Sequence, residues 1–588
     1  MGPRGSGKRL GRVGAITGSI VRAILALLRN RVLAIAFLLV IACCGWLVMD
    51  SAAAPLAGGN ATDSHAQPPA RDDPVSLLAA AIDRQIAARW TEENVPPTAP
   101  ADDAEFLRRT FLNIAGRIPT ASEAEQFLDD AGTAKRRLLV DRLLASAAYP
   151  THLADLLRSV IVPEANTDPI LQQQSEVFER WLRMRVAQNA GYDQIVRALI
   201  TAGPRSADSG FYFLAKGNKP ENLAAGVSRV FLGVRIECAQ CHNHPFAKWR
   251  REQFWQLAAF FAGTPTDSAE PPTEDTELVE LLIPDTAKKV SARYLDGGAP
   301  AWPATGNHDP RKALADWITS PRNPYFAHAA ANRVWAHFMG TGLVDPVDDF
   351  DESNPPSHPE LLDLLADEFV RQKYDVGFLI RAICASRTYQ LSSAQTDPRQ
   401  ANRRLFARAA VKGLTPAELA ATLSQAIGES DEPAPMMAGP AFPGRDSSQL
   451  RTLVMELFKN ENADPVDSET TILQALALMN SPVIDQSTAP GRGSTLAALL
   501  DAPFLDTRGR IEMLYLCTLS RRPTSEESQR LIQYVERGGA HAASKPKLGN
   551  VFQQMITTDK SKARSDHEIA LGDIFWALLN SSEFLTNH

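Results

Sequence analysis

The sequence predicts a mainly α protein: two helical domains with a short β-containing linker region between them, preceded by one transmembrane helix. Three observations carry this reading. Apolar residues recur at helical spacing along most of the chain, helix-start signals are frequent, and one apolar run near the amino end holds no charge. The 588 residues are 44% hydrophobic and 22% charged, which excludes a mostly disordered, collagenous or many-span membrane chain. Six cysteines at this length are too few for a disulfide scaffold.

Residues 1–31 form a basic segment holding Arg4, Lys8, Arg9, Arg12, Arg22, Arg29 and Arg31 and no acid. The formal charge is -7, so the rest of the chain is strongly acidic, and nucleic acid is not an expected partner. Residues 32–49, VLAIAFLLVIACCGWLVM, are uncharged and near the shortest length that spans a bilayer. The positive-inside rule then puts residues 1–31 in the cytoplasm and the body outside, periplasmic or at the cell surface. A retained anchor leads. A signal peptide cut near Ala52-Ala53-Ala54 and a lipoprotein site at Cys43 are the alternatives, and each exports the body. Residues 50–75, rich in Ala, Pro, Gly and Asp, read as a linker.

The first helical domain is expected over 76–263 and the second over 311–588, with the linker at 264–310, where Leu278–Tyr294 has the pattern of a hairpin. Val177, Phe178, Trp181, Leu182 and Met184 fall on one helical face, as do Leu361, Leu362, Leu364, Leu365 and Phe369. Thr120…Glu123, Ser357…Glu360, Thr415…Glu418 and Thr524…Glu527 have the capping-box form. Two of these boxes follow Arg-x-Pro, at Arg117-Ile-Pro119-Thr120 and Arg521-Arg-Pro523-Thr524. With no period recurring between them, they read as one good turn-and-cap solution used twice; the alternative is a shared helix–turn–helix device.

The segment that carries chemistry is Cys238-Ala-Gln-Cys241-His242-Asn-His244. Cys-x-x-Cys-His is the attachment form of c-type haem: two thiols one turn apart each add to a porphyrin vinyl group, and the following imidazole binds iron. Haem c held by Cys238, Cys241 and His242 is therefore the leading cofactor. One alternative is a zinc or iron ion on Cys238, Cys241, His242 and His244, with Asp348 or Asp349 nearby, as in a metal-dependent envelope enzyme. Another is a scaffold protein with a Cys238–Cys241 disulfide, His244 then capping or hydrogen-bonding. Residue type alone offers His328, His337, His358, Met436 and Met437 as a sixth haem ligand. Trp249, Phe254, Trp255, Phe260 and Phe261 read as helix core rather than a cofactor wall. Asp345, Asp348, Asp349, Asp351 and Glu352 read as a solvated or capping loop, with calcium binding or acid–base work as the alternative. No nucleophile elbow, dinucleotide fingerprint or metalloprotease helix appears in the sequence, so the reaction, and whether there is one, stays open.

The stretches GRIPTASEAEQFL, KRRLLVDRLLASAAY, VFLGVRIECAQCHNHPFAKW and QLAAFFAG resemble the planctomycete cytochrome-C-like domain of unknown function. LADWITSPRNPYFAHAAANRVWAHFMGTGLVDPVDDF, NPPSHPELLDLLADEF, ICASRTYQLSS, ILQALALMN and FWALLNSSEFLTNH resemble the planctomycete-specific C-terminal domain of unknown function that accompanies it. The resemblance implies export, a Cys-x-x-Cys-His motif at Cys238, Cys241 and His242, and a redox role with a redox partner protein. It supplies no reaction. Many relatives carry a further amino-terminal cytochrome module, whereas this sequence shows one such motif, and the cysteine-bearing segment before QALALMN is replaced by ELFKNENADPVDSETTIL.

Overall fold

Local signals place the helices. Thr120, Thr415 and Thr524 each accept from the backbone N–H of the glutamate three residues on, and each glutamate reaches back to the threonine N–H, so three of the expected capping boxes form. The fourth does not. The Pro359–Arg371 helix starts one residue late, with His358 at its N-cap outside the helical region, at φ -139° and ψ 81°. The residue before a proline is barred from the helical region, so His358 cannot be the first helical residue, and the Ser357 N–H pairs with the Leu343 carbonyl at 2.8 Å. A box absent from the sequence expectations forms at Ser565 and Glu568.

The computed structural model describes residues 73–264, 280–302, 308–428, 447–458, 472–490, 494–539 and 565–588, apart from 167, 205, 207 and 246. The apolar run 32–49 with its basic flank, Cys43, linker residues 50–72, Met436 and Met437 lie outside the described residues, and the linker's last residues, Pro74 and Val75, already belong to the Pro74–Glu92 helix. Among the described residues no helix is long and apolar enough to cross a membrane. The described part is mainly helical. Its strands are the antiparallel hairpin Glu280–Leu282 with Lys289–Ser291, in the register Leu281 opposite Val290, and a short pairing of Lys412–Gly413 with Thr586–Asn587. The hairpin expected in the linker therefore forms.

These residues belong to one compact unit, Pro68–His588, with two hydrophobic clusters. The larger draws side chains from Leu78 to Ala407, with Leu516, and so from both sides of the 264–310 stretch; the smaller runs from Leu414 to Leu585 and takes in Leu112 and Ile118. The Asp103–Ala115 helix serves both clusters and is buried at every position from Phe106 to Ala115. On the Pro169–Ala187 helix Phe178, Trp181 and Leu182 are buried, but Val177 and Met184, expected on the same face, are exposed. They flank the stripe rather than lie on it. Leu361, Leu362, Leu365 and Phe369 are buried as expected, with Leu364 at the edge.

The two Arg-x-Pro-Thr turns are one device, not a turn used twice. Asp102 and Asp506 cap helices of 13 residues, Asp103–Ala115 and Thr507–Leu519. Both helices end on a left-handed residue, Gly116 at φ 66° and Ser520 at φ 62°. Arg117 and Arg521 then each clasp the glutamate of their box, at 2.9 and 2.8 Å, and lie over Phe111 and Tyr515 at 5.3 and 5.2 Å. The register is constant throughout. The copies touch, Arg522 pairing with Asp129 at 2.9 Å.

The copies differ at the left-handed position. A Cβ on Gly116 would stand 2.3 Å from the His152 Nδ1, so only glycine fits there. Ser520 bears the conformational penalty that glycine avoids, and its buried hydroxyl has no hydrogen-bond partner. Ser520→Gly is therefore expected to stabilise the fold by about 1 kcal/mol. A urea midpoint unchanged or lowered would contradict this.

Candidate functional site

The Cys-x-x-Cys-His turn is built at the end of a buried helix. Pro220–Leu232 stops at Gly233, φ 68°, where a Cβ would stand 2.7 Å from the Phe350 ring. The Gly233 carbonyl accepts from Phe350 N–H at 2.9 Å, which pins the chain as it leaves the helix. Val234, Ile236 and Ala239 then bury their side chains, so in the tight Glu237–Gln240 turn Cys238 is left facing solvent. Trp255 Nε1 donates to the Gln240 carbonyl at 3.0 Å and Arg251 N–H to Asn243 Oδ1 at 3.0 Å, fastening the motif to the Arg251–Ala258 helix. Trp249, Phe254, Trp255, Phe260 and Phe261 are buried in the larger hydrophobic cluster, the helix-core role expected of them.

Cys238, Cys241 and His242 are all exposed, and both thiols are free. The His242 Nδ1 lies 2.8 Å from the Asn243 carbonyl. A carbonyl only accepts, so Nδ1 carries the proton and Nε2 keeps its lone pair. His244 has the opposite arrangement: its Nδ1 accepts from Ala247 N–H at 2.8 Å, so in the neutral ring Nε2 bears the proton. His244 is thus a hydrogen-bonding residue of its own loop. Among the described residues no three His, Cys, Asp or Glu side chains converge on a metal-sized point. The four-ligand ion site on Cys238, Cys241, His242 and His244 is not formed, and neither is a Cys238–Cys241 disulfide.

The histidines expected as sixth ligands each have one ring nitrogen engaged, while His328 Nδ1 and His358 Nε2 have no hydrogen-bond partner. His328 Nε2 meets Asp363 at 3.0 Å, His337 Nε2 donates to the Asn113 carbonyl at 2.8 Å, and His358 Nδ1 meets Ser357 Oγ at 3.0 Å. Burial pushes His358 down to about 4 and His337 well below the usual imidazole range.

The acidic cluster is not a solvated loop throughout. Asp351 is one, accepting from Ser353 N–H at 2.9 Å and from its hydroxyl at 2.7 Å. Asp348 is buried, and its two oxygens are taken by Arg229 Nε at 2.5 Å and Arg235 Nε at 2.8 Å. A carboxylate so engaged is neither a free metal ligand nor a base, and Asp349 makes no ion site with it. No sequence signal announces this triplet, because a residue of the Pro220–Leu232 helix, one beyond it and one over a hundred residues on have no common pattern.

The family model described as PSCyt2, Protein of unknown function (DUF1549), matches residues 81–266. The one described as PSD1, Protein of unknown function (DUF1553), matches residues 310–535. The chain is a PSCyt2–PSD1 protein. No curated protein and no solved structure matches it.

In this PSCyt2–PSD1 protein the motif lies in the first matched segment and Asp348 in the second, so the triplet ties one to the other just before Cys238. Burial works against the ionised Asp348, and the guanidiniums of Arg229 and Arg235 outweigh it, holding the carboxyl below its ordinary 3.8. Its stabilisation is complete above that ordinary value and is lost as pH falls through the lowered folded-state value. The arginines are half exposed, so Asp348→Asn is expected to cost about 2 kcal/mol at neutral pH rather than the full cost of a buried broken pair. Urea unfolding of wild type and variant down the acid range should show the gap closing; a gap independent of pH would refute the assignment.

Proposed function

We propose that the PSCyt2–PSD1 protein is an exported redox module that carries c-type haem on Cys238, Cys241 and His242. The observation that carries the reading is the His242 hydrogen bond. A metal-binding histidine characteristically gives its other N–H to a carbonyl, which fixes the tautomer and aims the free nitrogen outward, and His242 does so through the Asn243 carbonyl. Two free, exposed thiols immediately before it supply the covalent partners. Each thiol would add sulfur to one carbon of a vinyl group and its proton to the other, and the His242 Nε2 would bind the iron.

When bound, the haem supplies a one-electron couple. The protein's own part is positional. Trp255 and Arg251 hold the turn, the Arg229–Asp348–Arg235 triplet fixes the chain before it, and Ala239 plugs the turn into the core. None of the residues lining the larger cavity belongs to the motif. An exposed attachment turn of this kind suits electron exchange with a redox partner protein better than turnover in a closed pocket. Residues 32–49 would anchor the body at the membrane, on the extracytoplasmic side where haem c is attached.

The test is the full chain, exported from a host with haem-c maturation machinery proven on a control cytochrome. A Soret band that survives acid–acetone extraction is expected, with loss of covalent haem in Cys238→Ala/Cys241→Ala. His242→Ala should keep covalent haem and shift the spectrum, separating attachment from ligation. A colourless wild-type chain would overturn the proposal.

A further inference from the structure

A cavity of about 110 Å³ lies within the larger hydrophobic cluster, bounded by the helices Asp103–Ala115, Ala148–Ile161, Tyr192–Ala202, Phe326–Met339 and Val376–Ala385. Its wall is mostly apolar, with Leu153, Leu157, Val160, Val334, Val376 and Ile380 around it. Side chains of this type normally close on one another; here Leu153, Leu157, Val160, Val334 and Val376 stay only partly buried.

Seven polar side chains interrupt the wall, and two of them, Asn113 and His337, are already engaged. Asn113 donates to the Tyr389 hydroxyl at 3.0 Å and accepts from Asn587 at 2.8 Å, while His337 donates to the Asn113 carbonyl. Two of the others have buried nitrogens without a hydrogen-bond partner, Arg333 Nε and His152 Nε2. His152 is only 9% exposed, and its nearest carboxylate, Glu418, stands 3.7 Å from Nε2, beyond hydrogen-bond reach. The cavity lining contains no Asp or Glu. A guanidinium on an apolar wall with no acid beside it selects an anion.

We infer that this cavity binds a small amphiphilic monocarboxylate, its apolar body against the leucine and valine wall and its carboxylate on Arg333. At about 110 Å³ the cavity is smaller than the roughly 150 Å³ one that accepts a benzene ring, so it encloses only part of a six-carbon acid, whose remainder lies along the partly exposed Leu153, Leu157 and Val160. Burial keeps His152 and His337 neutral, leaving them as hydrogen-bonding groups and Arg333 as the one charge of the lining. One positive charge in apolar surroundings matches one carboxylate; a dianion would leave an unpaired charge in the cavity.

Isothermal titration of the full chain with hexanoate tests the assignment, independently of whether haem is attached. Hexanoate should bind, and hexan-1-ol, of equal body and no charge, should bind at least tenfold more weakly. Arg333→Met should weaken hexanoate at least tenfold while leaving the alcohol unchanged, and Leu157→Trp, which fills the cavity, should abolish binding of both. Should either variant fail to fold, the wild-type comparison still decides. No heat of binding from hexanoate at about 10 mM, or equal affinity for acid and alcohol, would overturn the inference.

Discussion

Two adjacent guanidiniums in the middle of the protein set the terms for everything around them. Arg108 and Arg109 lie on the buried Asp103–Ala115 helix, about 100° apart around its axis, and so face different neighbours. Arg108 donates to the Thr518 carbonyl at 2.9 Å and to Phe584 at 2.7 Å; Arg109 donates to Tyr389 at 2.6 Å and Leu391 at 3.0 Å. Burial pushes Arg108 down to about 10, with Glu583 acting in the opposite sense, so it stays charged at neutral pH. A buried charge is tolerable only when most of its donors are matched, and these are matched by carbonyls far along the chain and, for Arg109, by Glu105 one turn back, with Arg108 Nε left without a partner. The central helix therefore cannot seat itself until the carboxy-terminal segments are in place, and both hydrophobic clusters take their register from it.

The same logic, nearer the surface, governs the cysteine turn. Its geometry is not set by the cysteines but by what surrounds them: a glycine that lets Phe350 close, an alanine small enough to be buried, a tryptophan that holds the Gln240 carbonyl, and an aspartate that neutralises two arginines. A turn held from four sides keeps its thiols and imidazole at one spacing, which a two-thioether attachment requires.

Features that depend on a few neighbouring residues were legible in the sequence; those that depend on distant partners were not. The boxes at Thr120, Thr415 and Thr524 are local chemistry, and Ser357 failed for a reason equally local, the proline two residues on. The linker hairpin and the aromatic core after the motif were likewise readable. Nothing in FLRRTFLNIAG marks Arg108 and Arg109 as buried, because nothing in that string names the carbonyls of Thr518 or Leu391. Asp348 looked like its acidic neighbours for the same reason. The repeated helix–turn–helix was legible only as the second reading, because its two copies share caps, turn and clasp but little of the intervening sequence.

The cysteine turn is exposed and the cavity partly closed, yet one helix lines the cavity and packs on the helix that leads into the turn. On Phe326–Met339, Arg333 and His337 face the cavity, while the neighbouring Asn332 donates to Val344 at 2.8 Å and accepts from its N–H at 3.0 Å, holding the strand of chain that delivers Asp348. Asn332 is fully buried, and Pro220–Leu232, the helix that leads into the motif, packs on this same helix. Such a shared wall fixes the two places relative to each other, but coupling between them would need an element with two arrangements to choose between. The helix is seen in one arrangement, clasped at Asn332 and packed at Trp335. The geometry thus favours a protein in which the cavity's occupant steadies the scaffold under the turn without gating it.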